Sequence, residues 1–108
     1  MSAGDAARAE AGWIASTSAL NLLFREFPDG AVCFDPDTTE TRLLAPLTRF
    51  LLECLVDASP RAVAKTRLVS HVLSVDESGA DPLVAADAVD AALAELAQAG
   101  LAHPGEAA

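Results

Sequence analysis

Cations are scarce in this chain of 108 residues: seven Lys and Arg stand against sixteen Asp and Glu, for a formal net charge of -9. Such a balance repels nucleic-acid phosphates and anionic lipid surfaces, which argues against nucleic acid as a partner. Cysteine is limited to Cys33 and Cys54, too few and too far apart for a disulfide scaffold or a zinc site. Both sit among apolar neighbours and are expected as free, buried thiols. No stretch reaches the roughly 20 apolar residues that cross a bilayer. The opening MSAGDAARAEAG also lacks the basic and apolar regions of a secretory signal. A soluble, cytoplasmic protein with no membrane partner is the expectation.

The inventory for catalysis is equally thin. HExxH, CxxC, GxGxxG and P-loop patterns are all missing, so metal, dinucleotide and nucleotide chemistry have no support and no cofactor is expected. A nucleophile needs a base within reach, and the chain offers only His71 and His103, neither with an evident partner. Asp35 with Asp37, and Asp76 with Glu77, are neighbouring carboxylates in turn-like segments, where bonding to local backbone accounts for them. The residues do not describe an enzyme.

What is present is enough apolar material for one core, 52% hydrophobic residues against 21% charged, with no repeat or low-complexity linker to divide it. Residues 1–12 are small and polar, so they read as an arm, with order beginning near Trp13. From Leu20 to Leu44, runs of strand residues alternate with turn chemistry: LNLLFREF, PDG, AVCFD, PDTTE and TRLL. This predicts a three-stranded meander, with Pro28-Asp29-Gly30 at the first turn and residues 36–39 at the second.

Beyond Ala45 the apolar period changes from two to about 3.6 residues. Leu47, Phe50, Leu51, Cys54 and Leu55 form the stripe of a first helix, opened by Pro46 and closed near Asp57. Ser59 and Pro60 have the form of a cap and first turn for a second helix from Pro60 to about Val75, with Val63, Val69, Val72 and Leu73 inward. Asp81 and Pro82 repeat that signature for a third helix reaching about Ala99. Its inner face is Ala85, Val89, Ala92, Leu93 and Leu96, with Gly100 as terminator and Leu101 returning to the core. The fold class is therefore α+β: a three-stranded antiparallel sheet followed by three helices. A sheet of three strands leaves edges that an extended peptide can join.

The few cations end at Arg67, and only acids follow: Asp76, Glu77, Asp81, Asp87, Asp90, Glu95 and Glu106. Arg61, Lys65 and Arg67 cluster near the start of the second helix, Arg61 and Lys65 four residues apart on one face. The third helix, which would have to read DNA in one arrangement, carries Asp87, Asp90 and Glu95 and would repel it.

Three strands, three helices and the ending LAELAQAGL resemble the PqqD-like family of peptide chaperones, the precursor recognition elements of ribosomally made, modified peptides. The branch most similar is the PqqD-type chaperone of the HPr-rel-A system, on Trp13, the segment VCFDP and TETRLLAPLTRFLLECL. The chain departs from that pattern at Ala58, where Asp-Gly is usual after the first helix, and at Ala88, where an acid usually precedes the Val89 position. The resemblance spans Trp13 to about His103 and leaves 104–108 as a tail.

It implies a winged-helix-like fold and a noncatalytic module that binds the leader segment of a precursor peptide and presents it to a peptide-modifying enzyme. In the family the leader adds a strand beside the third strand and leans on the third helix. Carried over, the peptide-binding positions are Glu40, Thr41, Arg42, Leu43 and Leu44, with Val84, Asp87, Ala88 and Ala91 facing them. The alternatives are a winged-helix DNA-binding regulator using Arg61, Lys65 and Arg67 on phosphates, or a structural adaptor or homodimer that self-pairs through the same edge.

Overall fold

A computed structural model describes residues 10–76, 79 and 81–107 of the chain. Its meander consists of β2 (Leu23–Phe27), β3 (Gly30–Asp35) and β4 (Glu40–Leu44), which follow β1 (Glu10–Ala15) and a short 3-10 turn, Ser18–Asn21. Three helices come next: α1 (Pro46–Ala58), α2 (Lys65–Val75) and α3 (Pro82–Gln98). A two-residue strand β5 (Val63–Ala64) precedes α2, and β6 (Ala102–Ala107) follows α3. The meander pairs antiparallel in the order β2-β3-β4, as the alternation and turn residues require. The first strand starts at Leu23 rather than Leu20, because Leu20 belongs to the 3-10 turn.

A second sheet, in the order β5-β1-β6, was not legible in the sequence. The arm expected through residue 12 and the tail expected from 104 partly form it: Glu10–Ala15 pairs along its whole length with Ala102–Ala107, Trp13 opposite Pro104. His103, placed in that tail, is a strand residue opposite Ile14. Order therefore begins before Trp13, and Gly12 is buried opposite Ala64. The remainder of the expected arm, 1–9, lies outside the described residues. The lack of a clean apolar alternation hid β1 and β6, which pair with each other along their length and set Ala15 and Ala102 in the core with Trp13 packed against it.

The second helix is shorter than expected. Ser59 and Pro60 form the turn after α1, and the chain extends through Val63–Ala64 to pair with Trp13 and Gly12 before α2 begins at Lys65. Arg61 consequently precedes the helix and shares no helical face with Lys65. The fully buried residue of α2 is Leu68, with Val69 and Val72 packed beside it.

Leu51, Leu52 and Leu55 of α1, Leu68 of α2, and Val89, Leu93 and Leu96 of α3 fill the centre, under Cys33 and Leu44 of the meander. The inner face expected for α3 is buried throughout, and Leu101 folds back as anticipated. Asp81 caps α3 by accepting a hydrogen bond from the Leu83 amide at 2.7 Å. Gly100 takes φ +74°, the left-handed conformation that ends the helix.

Candidate functional site

The two turns of the meander decide which of its edges carries free backbone. A two-residue loop joins Phe27 to Gly30, so these residues exchange hydrogen bonds and the alternation propagates from there. Val32 and Phe34 turn their amides and carbonyls toward β2, and Ala31, Cys33 and Asp35 turn theirs toward β4. Through the register Ala31↔Leu44, Cys33↔Arg42 and Asp35↔Glu40, it is then Thr41 and Leu43 that point their backbone groups outward. Among the described residues no strand pairs with that side of β4.

Side chains along β4 divide by parity. Thr41 and Leu43 project from the outer face, Leu43 74% exposed. Leu44 is buried, and Glu40 and Arg42 look across the inner face. The last two line a recess of ≈ 170 Å³ between the meander and the C-terminal end of α3. Leu22, Cys33 and Leu101 supply apolar walls; Ser18, Asp35 and Thr38 add polar atoms; Ala99 and Gly100 close the far side. Arg42 reaches Glu40 at 3.4 Å, a loose ion pair between two partly exposed groups. Asp35 Oδ1 accepts a hydrogen bond from the Asp37 amide, which shapes the second turn.

Burial pushes the Cys33 thiol above its ordinary pKa, an effect that the Arg42 amide and charge offset only in part. Cys54, half-buried on α1, is raised too, by burial and by the neighbouring Glu53 and Asp57. Both cysteines are free.

The helical candidates sit elsewhere on α3 than the recess. Val84, Ala88, Ala91 and Glu95 fall on one flank at 100° per residue, and Asp87 lies on its solvent side. The first three are exposed, Val84 by 62%. Thr48, in the first turn of α1 and buried, donates a hydrogen bond to Glu95 Oε1 at 3.0 Å. That bond turns the flank toward the junction where β4 runs through Ala45 into α1. The structure thus brings Glu40 and Arg42 against Ala99, Gly100 and Leu101, while Val84, Asp87, Ala88 and Ala91 lie farther back along the helix. Sequence reasoning missed the Thr48–Glu95 bond and the recess. The shared parity of Cys33, Asp35, Glu40 and Arg42 is the signal that could have exposed the recess.

The opposite flank of α3 is spent on packing: Asp90 pairs with Lys65 at 2.9 Å. Of the three cations considered for phosphate contact, Lys65 is therefore engaged, and Arg61 is separated from it by the turn and β5. On the far side of the meander, Arg49 of α1 lies 4.0 Å over the Phe24 ring and pairs with Glu26 at 3.0 Å. This clamps β2 onto α1. No helix among the described residues is long and apolar enough to cross a membrane.

No protein-family model matches this chain, and no curated protein matches it. A solved structure described as TbiB1 in complex with the TbiA(beta) leader peptide has a similar fold: TM-score 0.61 over 83% of this chain and 94% of that one, at 13% sequence identity. The chain thus shares the fold of a protein that has been solved with a leader peptide bound.

Proposed function

We propose that this chain is a noncatalytic peptide chaperone. It binds the leader segment of a ribosomally synthesised precursor by strand addition and presents it to a peptide-modifying enzyme. The observation that carries this reading is the β4 edge, unpaired among the described residues, where the Thr41 and Leu43 backbone groups point outward and Glu40 and Arg42 line a recess that reaches the C-terminal end of α3. The fold shared with TbiB1, a protein solved with a leader peptide, supports it. So does the similarity of Trp13, VCFDP and the segment leading into α1 to the PqqD-like chaperones.

In this reading backbone hydrogen bonds to Thr41 and Leu43 supply affinity that tolerates sequence variation. Side chains of the added strand meet Glu40, Arg42 and Leu44 on one face and Thr41 and Leu43 on the other. Val84, Asp87, Ala88 and Ala91 contact the remainder of the peptide as it passes along α3. Titration of the isotope-labelled protein with the N-terminal segment of a small precursor encoded beside it tests this directly. The expected result is a set of NMR shifts centred on Glu40–Leu44 and the α3 flank.

A further inference from the structure

The β4 edge carries a charge pattern as well as free backbone. Glu40 and Arg42 lie two residues apart on the inner face with opposite signs, and Leu44 completes that face. Asp35 stands directly opposite Glu40 on β3 and lines the same recess. Two carboxylates in a cross-strand pair repel one another, and Arg42 offsets this only through a 3.4 Å contact with a partly exposed Glu40. The position beside Glu40 on an added strand therefore favours a cation.

We propose that the β4 edge selects the charge order of the peptide it binds: an acidic residue opposite Arg42, and a basic residue two positions further on, opposite Glu40. This rests on strand addition at β4 and deepens it. Thr41 and Leu43 form the hydrogen-bonded pairs with the added strand, so residues opposite Glu40, Arg42 and Leu44 occupy the non-hydrogen-bonded pairs, where side chains approach most closely. The meander is antiparallel throughout, and an antiparallel addition is the slightly more stable continuation. Read from its N-terminal end, the bound segment has an apolar residue opposite Leu44, another opposite Leu43, an acid, any residue opposite Thr41, and a base. A long basic side chain suits the last position, since its head can lie beside Glu40 and extend toward Asp35 on the next strand.

Two synthetic peptides of identical composition, with cores Val-Val-Asp-Thr-Lys and Val-Val-Lys-Thr-Asp, test this on the labelled full chain. The wild type binds the first about five- to tenfold more tightly, as expected for two cross-strand charge pairs, and the margin narrows at high salt. The double variant Glu40→Lys/Arg42→Glu keeps its internal ion pair and prefers the second peptide. Equal affinities of both peptides in both proteins, with shifts still centred on β4, overturn the charge order and leave strand addition standing. Absence of shifts at Thr41 and Leu43 with either peptide, and with the precursor segment, overturns strand addition and the charge order with it.

Discussion

Thr48 and Glu95, 47 residues apart in sequence, are joined by a 3.0 Å hydrogen bond that fixes the flank of α3 against the start of α1. Thr48 is 2% exposed, so its hydroxyl depends on this partner, whereas Glu95 keeps access to water. Replacing Thr48 with Val keeps the shape and removes the bond. The expected cost is about 1 kcal/mol, read as a fall in melting temperature of roughly 4–8 °C. Shifts of Ala88 and Ala91 amides should accompany it, because the flank loses its tether.

Gly30 closes the first turn of the meander at φ +145° and lies against the backbone of Leu44. A methyl group there would land on the Leu44 carbonyl oxygen, in a conformation that side chains rarely adopt. Gly30→Ala should destabilise the chain by about 2–4 kcal/mol. Urea denaturation checks the magnitude, and loss of β4 amide protection shows where the damage falls.

Arg49 is 19% exposed and serves Phe24 and Glu26 on β2 and, at 3.8 Å, Glu53 on its own helix. Arg49→Ala should cost about 1–2 kcal/mol, the sum of a partly desolvated cation–π contact and a weak ion pair. Arg49→Lys should recover part of it. Circular-dichroism melts of the two variants at low and high salt separate the ionic share from the rest.

The two thiols predict both reactivity and pH dependence. Cys33 is 1% exposed and Cys54 is half-buried, so a thiol reagent near pH 8 should label Cys54 well before Cys33, as peptide mass mapping would read. Burial raises both folded-state values above those of the unfolded chain. In the window between the two values the unfolded state has already lost protons that the folded state keeps. Their contribution to stability is therefore intact below about pH 9 and falls as pH rises beyond it. A double Cys→Ala variant should lose that alkaline decline in a urea series, whatever its stability near neutrality.

The meander, α1 and α3 were legible because their signals are local: Pro28-Asp29-Gly30 for a tight turn, the Leu51–Leu55 stripe, the Asp81–Pro82 cap and the Gly100 stop. The second sheet was hidden because Ala, Gly and Pro around Trp13 and Ile14 and throughout β6 give no alternating pattern, and the two strands meet only by pairing across nearly the whole chain. The Ser59–Pro60 signal misled because tertiary pairing of Val63 and Ala64 with β1 outweighed a helix start that sequence alone favours. At the site, Glu40–Leu44 were named through the resemblance to the PqqD-like chaperones, yet the recess that Glu40 and Arg42 share with Asp35, Gly100 and Leu101 depends on how α3 ends against the meander. No local pattern encodes that approach.

The most direct test of the central claim is the NMR titration of the labelled chain with the precursor's N-terminal segment, run beside a titration with duplex DNA. Strand addition at β4 predicts saturable shifts at Thr41 and Leu43, spreading to Ala88 and Ala91, and new protection of the Thr41 and Leu43 amides from exchange. Saturating peptide with no change at β4, together with DNA-induced shifts at Arg61, Lys65 and Arg67, would contradict the account and favour a regulator that grips phosphates.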